Sequence, residues 1–133
     1  MGFTGTQRGM TDQQKLVVRD ILRKSAKEFH FGDCLGADRE AYLIAKKLDI
    51  WTEAWPPINE SKRAFCKADV IHIAGDYLER DHWIVDATKG LLATPKGMEE
   101  EQRSGTWATV RYARKLHRLV IFVYPNGLCK QEN

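Results

Sequence analysis

The stretch that decides the fold is GFTGTQRGMTDQQ, residues 2–14. Phe3 is its one bulky apolar side chain before Gly5, so the first residues predict a brief buried strand that breaks into a loop at Gly5. Thr11 is followed three residues later by Gln14, a capping-box pattern that marks the start of a helix. The chain therefore opens with a strand, a glycine-containing loop and a helix.

The same alternation continues to the last apolar segment. Short apolar runs predict further strands, and runs with helical spacing predict helices between them. The strands show little strict alternation, which favours a largely parallel sheet covered on both faces. The helices are expected from Thr11 to near Glu28, over 37–48 and 77–88, and from Gly105 or Thr106; the strands are expected at 29–31, 50–55, 70–73, 91–94 and 119–124, and residues 58–68 fit either a helical turn or a surface loop.

This pattern predicts an α/β protein with a Rossmann-like three-layer α/β/α sandwich and a mostly parallel sheet. We expect one domain over residues 1–125 and a polar C-terminal tail over 126–133. The 133 residues are 43% apolar and 29% charged, which is typical of a soluble globular protein and excludes disorder for most of the chain.

Composition also bounds the location of the protein. No apolar run approaches the ~18–20 residues of a membrane span, and the first ten residues lack the pattern of a signal peptide. Cys34, Cys66 and Cys129 are widely spaced and form no CxxC pair, which favours a reducing compartment. The sequence therefore predicts a cytoplasmic protein without membrane contact.

The charge balance favours a small anionic ligand over a nucleic acid. Lys and Arg number 21 against 18 for Asp and Glu, a net charge of +3 that is too weak to indicate a DNA-binding protein. Arg111 is the member of a basic helix nearest the helix start and is the candidate to turn toward a ligand; the alternative is that this helix presents a solvated basic face. The histidines lack metal-ligand spacing, and we expect neither a metal nor another cofactor; they are His30, His72, His82 and His117.

Two loops have the composition of phosphate-binding loops. In open parallel sheets, ligands bind beyond the carboxyl ends of the strands, where helix N-termini present free N–H groups to an anion. Glycine lets a phosphate approach the backbone, hydroxyls add donors and arginine adds charge. The alternative is that small residues merely form tight turns. We expect the two loops to converge on one anion site formed by Gly5, Thr6, Arg8, Arg103, Ser104, Gly105 and Thr106.

A third loop, residues 32–38, supplies acidic candidates and Gly36. Asp33 follows the second predicted strand, where acids often accept hydrogen bonds from ribose hydroxyls. Asp38 lies in the first helical turn, where helix capping is the alternative role. Both are candidates for catalytic work, whereas Cys34 has no base beside it in the sequence and is not favoured as a nucleophile.

Six motifs are spread along the chain: GFTGT (2–6), GDCLGAD (32–38), PP (56–57), YLER (77–80), IVD (84–86) and RSGTWATVRYAR (103–114). Together they resemble the SLOG superfamily, which takes its name from the DNA-processing protein Smf and the phosphoribohydrolase LOG. The resemblance covers about residues 1–125, and small stand-alone bacterial and phage members are the most similar. It implies a Rossmann-like fold and a nucleotide-derived ligand held by the first loop and the Gly-Thr loop.

The sequence departs from the phosphoribohydrolase signature Gly-Gly-x-Gly-Thr-x-x-Glu at its last position, where Thr109 replaces the acid. Cleavage of an N-glycosidic bond needs a carboxylate. Asp33 and Asp38 are the candidates to take the role of the missing acid. Three interpretations follow: a nucleotide-binding module acting as a sensor or sponge, a phosphoribohydrolase-like enzyme, and a single-stranded DNA-binding protein. We prefer the first. The resemblance, with four tryptophans in a small domain, also predicts a homo-oligomer, most simply a dimer.

Overall fold

The computed structural model describes all residues, 1–133. Strands and helices alternate along the chain until the C-terminal hairpin, and a short 3-10 helix at Glu60–Lys62 is the only helical turn between β3 and β4. The strands are β1 (Gly2–Gly5), β2 (Glu28–Phe31), β3 (Trp51–Ala54), β4 (Val70–Ile71), β5 (Gly90–Thr94), β6 (Leu119–Val123) and β7 (Cys129–Glu132); the helices are α1 (Asp12–Ser25), α2 (Ala37–Lys47), α3 (Tyr77–Asp86) and α4 (Gly105–Lys115).

The seven strands form one sheet in the order β4-β3-β2-β1-β5-β6-β7. Every neighbouring pair is parallel except β6 and β7. Strands β2, β3 and β4 progress outward on one side of β1, and β5 then starts the other side. The strand order therefore reverses between β1 and β5, which is where ligands bind in open α/β sheets.

Helices cover both faces of the sheet. Helices α1 and α2 pack on one face, over a core that includes Phe3, Leu22 and Phe29. Helices α3 and α4 pack on the other face, over a second core that includes Leu91 and Val110. This arrangement confirms the predicted three-layer α/β/α sandwich with a mostly parallel sheet.

The starts of the helices are fixed by local chemistry. Thr11 and Gln14 form the predicted capping box of α1. The buried side chain of Gln14 also donates hydrogen bonds to the carbonyls of Pro95 and Val123, 2.9 Å each, which ties this helix to the ends of β5 and β6. Helix α2 begins after Gly36, whose φ of 89° suits glycine.

The C-terminal residues differ from the predicted polar tail. Residues 129–132 form β7, which pairs with β6 as a hairpin. The reason is a turn at Asn126-Gly127, where Gly127 has a φ of 86° and donates to the Tyr124 carbonyl at 2.8 Å. The side chains of this edge strand are polar and mostly exposed, so composition alone indicated a tail.

Most other boundaries differ from the predictions by a few residues. Helix α1 ends at Ser25 rather than near residue 28, and α3 ends at Asp86 rather than 88. The strand expected over 70–73 is confined to Val70–Ile71. No helix has the length and apolar character required to cross a bilayer.

Candidate functional site

A cavity of about 370 Å³ lies at the carboxyl ends of β1 and β5, beside the point where the strand order reverses. Both glycine-containing loops line it, one through Gly5–Arg8 and the other through Arg103–Thr106. The structure thus brings together two segments that are about a hundred residues apart in sequence. Side chains from the start of α2 and from α3 complete the wall.

The N-terminus of α4 offers unpaired backbone donors to this cavity. Ser104 is the N-cap residue, and its Oγ accepts a long hydrogen bond of 3.4 Å from the Trp107 N–H. The N–H groups of Gly105 and Thr106 make no hydrogen bond. Unpaired N–H groups at the positive end of a helix dipole form an anion-binding site.

The first loop is held in place by close packing around Gly5. A Cβ at Gly5 would lie 2.3 Å from Thr94 Oγ1 and 2.6 Å from Ala37 Cβ. The Thr6 N–H donates to the Thr94 carbonyl at 3.1 Å, and the Thr6 Oγ1 accepts from the Arg8 N–H at 3.2 Å. Because a side chain would not fit, only glycine allows β1, β5 and α2 to pack together at this point. This packing fixes the geometry of the first loop.

Two arginines on the cavity rim have no protein partner. Arg8 and Arg103 are exposed, line the cavity and make neither an ion pair nor a side-chain hydrogen bond. The neighbouring Lys96 pairs instead with Glu101 at 3.2 Å. One unpaired guanidinium on each loop leaves the cavity rim ready for an anion with several acceptor oxygens.

Arg80 forms the floor of the cavity from α3. It is 7% exposed, and its Nε donates to the Trp55 carbonyl at 2.8 Å while its Nη2 donates to the Gly32 carbonyl. Its Nη1 makes no hydrogen bond to the protein. A buried guanidinium with one free nitrogen supplies a fixed positive charge beneath the ligand position.

Asp38 faces this charge from the first turn of α2. Its Oδ2 accepts from the Cys34 N–H at 3.1 Å. Burial raises the pKa of Asp38 to about 7, against the opposing effects of the Cys34 N–H and Arg80. The carboxyl group therefore exchanges its proton near neutral pH, which is the property of a general acid or base.

Asp81 is a second carboxyl group in the cavity wall. Its Oδ1 accepts from the Thr109 hydroxyl at 2.7 Å, whereas its Oδ2 is buried without a partner. Burial raises the pKa of Asp81 to about 6, and the hydrogen bond from Thr109 opposes the rise. The Asp81 carboxylate therefore lies directly beside Thr109, the residue that replaces the acid of the phosphoribohydrolase signature.

Tyr77 covers one end of the cavity. Its side chain is half exposed, and its Oη lies 2.1 Å from where a Cβ on Gly105 would be. Burial raises the pKa of Tyr77, and the nearby Asp81 carboxylate raises it further. The phenol therefore lies directly over the N-terminus of α4.

Three residues predicted for the site do not line this cavity. Asp33 is fully buried and is held by Arg63 Nε at 3.2 Å and by the Cys66 N–H at 3.0 Å, so it anchors the segment before β4. Gly36 packs on the backbone of Gln7. Arg111 donates to Glu100 Oε2 and to two carbonyls of the loop before α4.

Cys34 lines the cavity, but its thiol is unsuited to nucleophilic attack. Burial raises its pKa to about 11, and the charge of Asp38 adds to this effect. The Sγ lies 3.2 Å from Arg80 Nη2, a contact that lowers the pKa by less than burial raises it. Since the thiolate is the reactive form, Cys34 is a wall residue at neutral pH.

The most informative residues that sequence reasoning missed all lie on α3. Tyr77, Arg80 and Asp81 line the cavity. Tyr77 and Arg80 belong to the YLER motif of the family resemblance, whereas Asp81 lies outside every motif. Helix α3 leads from the edge strand β4 back to β5 and packs over β1. Because α3 crosses the sheet in this way, its first turns lie at the cavity. The local sequence does not predict this placement.

A second polar cluster lies on β2 and β3, away from the cavity. Glu28, His30 and Glu53 have ligand atoms within 4.8 Å of one another. However, Trp55 Nε1 donates to His30 Nδ1 at 3.2 Å, so the proton of the neutral ring lies on Nε2. That nitrogen donates to Glu28 at 3.2 Å instead of offering a lone pair to a metal.

No protein-family model and no curated protein sequence matches this chain. Several solved structures, by contrast, are similar to it in fold. The molybdenum cofactor binding protein from the phototrophic bacterium Rippkaea orientalis superposes with a TM-score of 0.72 and 19% identity, over 92% of this chain and 74% of that one. The molybdenum cofactor carrier protein from Chlamydomonas reinhardtii gives a TM-score of 0.68 and 21% identity, over 91% and 74%.

DNA processing protein A from Helicobacter pylori, described for its single-stranded DNA binding mode, gives a TM-score of 0.62 and 16% identity over 91% of this chain and 63% of that one. Each of these likenesses shows a shared fold. The Rossmann-like fold that the sequence motifs imply is therefore confirmed. A single-stranded DNA-binding protein among the similar structures contests the expectation, drawn from the mild net charge, that nucleic acid is not the ligand.

Proposed function

We propose that this protein binds a phosphorylated, nucleotide-derived small molecule in the cavity at the ends of β1 and β5. The observation that carries the proposal is the convergence of two loops, each bearing an unpaired arginine, on the free N–H groups of α4. The phosphate lies between Arg8 and Arg103, against the backbone of Gly105. Such a site recognises the anion by charge and by several directed donors at once.

The size of the cavity supports a small ligand. Its volume of about 370 Å³ falls within the ~300–1,000 Å³ typical of small-molecule sites. Single-stranded DNA remains the alternative ligand because a protein with this fold binds it, and the exposed arginines would suit its phosphates too. A polymer needs a groove that follows its backbone, so the small ligand is the better fit.

Hydrolysis of the bound nucleotide is a second candidate function, and Asp38 favours it. The group lines the cavity, and burial places its pKa at about 7. A carboxyl group in that range serves as a general acid for a leaving base or as a general base for water. Binding without turnover is the simpler function, since Thr109 stands where the signature acid is expected.

Mass spectrometry of small molecules released from the purified protein by denaturation tests the proposal. We expect a phosphorylated compound from the wild type and none from Gly105→Asp, because the new carboxylate repels the anion and fills its place. The fold should survive, as helix N-termini tolerate acids and the new Cβ meets only the end of the Tyr77 side chain.

Gly97→Asp is the matched control, since a Cβ there meets nothing within 4 Å. It should release the same compound as the wild type, and circular dichroism checks that both variants fold. Free base with ribose phosphate would favour hydrolysis over binding. Equal release from Gly105→Asp and the wild type would contradict a ligand at the α4 N-terminus.

A further inference from the structure

Asp81 has one carboxylate oxygen with a protein partner and one without. Thr109 Oγ1 lies 2.7 Å from Oδ1, while Oδ2 is buried and makes no hydrogen bond. A buried acceptor left unpaired lowers the stability of the fold, so native structures rarely keep one without a purpose. Asp81 lines the cavity. A hydrogen-bond donor on a ligand in the cavity would therefore satisfy the unpaired oxygen.

The position of Asp81 relative to the anion site limits which part of a ligand can supply that donor. Thr109 Oγ1 also lies 3.1 Å from the Gly105 carbonyl, one helical turn below the free N–H groups of α4. A turn of helix rises ~5.4 Å. In a nucleotide, the group this close to the phosphate is the sugar ring, whose hydroxyls are donors, and the base lies farther away.

We propose that Asp81 selects a phosphorylated sugar by accepting a hydrogen bond from a sugar hydroxyl, with Thr109 fixing the carboxylate in position. This inference rests on the proposed phosphate site and adds the part of the ligand that the site distinguishes. Tyr77 also lines the cavity, with its Oη over Gly105. Arg80, next to Asp81 in the sequence, also lines the cavity and brings a positive charge to this wall.

Calorimetric titration with two simple probes tests the inference. Ribose 5-phosphate has the ring, the phosphate and the hydroxyls; tetrahydrofurfuryl phosphate has the ring and the phosphate alone. We expect the wild type to bind the first about tenfold more tightly, as one hydrogen bond to a charged group predicts. Asp81→Ala should bind both probes equally, at the weaker of the two affinities.

Two further variants keep the result interpretable. Asp81→Asn preserves the side-chain shape and should show an intermediate preference, since it loses the charge but retains an acceptor. Asp86→Asn, on the same helix but bonded to the exposed Tyr112 hydroxyl, should discriminate like the wild type. Thermal denaturation followed by circular dichroism checks that each variant is folded.

The possible failures separate the two proposals. If neither probe binds the wild type, the proposed phosphate site is wrong, and the proposed role of Asp81, which depends on it, is wrong as well. If both probes bind the wild type equally, the phosphate site stands and the role of Asp81 is overturned. If Asp81→Ala weakens both probes by the same factor, Asp81 supports the fold or the phosphate, and the inference is again wrong.

Discussion

At the scale of single residues, the buried carboxyl group of Asp38 makes the stability of the protein depend on pH. Burial raises its pKa from 3.8 to about 7 in the folded state. Between about pH 4 and pH 7 the folded chain therefore holds a proton that the unfolded chain has released. The free energy of unfolding should fall as pH rises through this window, by at most about 1.4 kcal/mol per pH unit for one such group.

Asp38→Asn should remove most of that dependence. The variant should be more stable than the wild type above pH 7 and should show a flatter profile below it; Asp81, whose pKa is raised to about 6, accounts for the remaining slope. Urea denaturation at a series of pH values measures this. Asp49→Asn is the control, because Asp49 is exposed and its left-handed backbone also suits asparagine. An unchanged profile for Asp38→Asn would refute the buried, protonated carboxyl group.

Other residue roles could not be predicted because they depend on distant partners. Asp33 was expected to face a ligand because it follows a strand, yet Arg63 and the Cys66 N–H surround it from thirty residues away. Arg111 was expected to turn toward the cavity, but Glu100 holds it from outside the helix. A residue type and a loop position identify a candidate, whereas long-range contacts decide its partner.

At the scale of elements, the contact among β1, β5 and α2 depends on Gly5. Gly5→Ala should lower the free energy of unfolding by ~1–3 kcal/mol, the usual cost of overpacking, because the new Cβ would lie 2.3 Å from Thr94 Oγ1 and 2.6 Å from Ala37 Cβ. Urea denaturation measures the loss. Gly90→Ala, a strand glycine whose Cβ would meet nothing closer than 3.7 Å, should cost much less. Equal losses would show that the crowding at Gly5 is relieved without cost.

Elements were more predictable than residues. The apolar runs and the Thr11 capping box placed β1 and α1 nearly where they lie, since hydrophobic periodicity and caps are local signals. The hairpin that ends in β7 was missed because its strand is polar, although the Asn126-Gly127 pair is a strong turn signal. The path of α3 across the sheet was beyond prediction, since it depends on strand order.

At the scale of the whole molecule, the convergence of the two loops followed from one rule. Parallel strands end at the same edge of a sheet, so loops after β1 and β5 meet whatever their separation in sequence. The structure places both on one cavity. The lining of the cavity, by contrast, comes from α2, α3, α4 and the loops together, which no single motif encodes.

The oligomeric state remains a prediction. Trp107 is buried and Trp55 packs on Trp83 at 5.9 Å, so most of the tryptophan surface that suggested a dimer is covered within the chain. Exposed apolar side chains instead lie on β4 and directly after it, where Ile71 is 51% and Ile73 81% exposed. A second copy of the chain would cover them.

Light scattering at micromolar concentration should therefore give a dimer for the wild type and a monomer for Ile73→Lys. Leu16→Lys, on the outer face of α1 and 72% exposed, is the control that should leave the dimer intact. A monomeric wild type would contradict the prediction. A dimer that persists in Ile73→Lys would move the interface away from this edge.

The central claim is that the two loops form one phosphate site, and titration of ¹⁵N-labelled protein with inorganic phosphate tests it most directly. We predict that the amide signals of Thr6, Gln7, Gly105 and Thr106 shift together and fit a single dissociation constant, because one anion contacts both loops. Shifts confined to one loop, shifts with two different constants, or saturating shifts elsewhere in the chain would contradict the account.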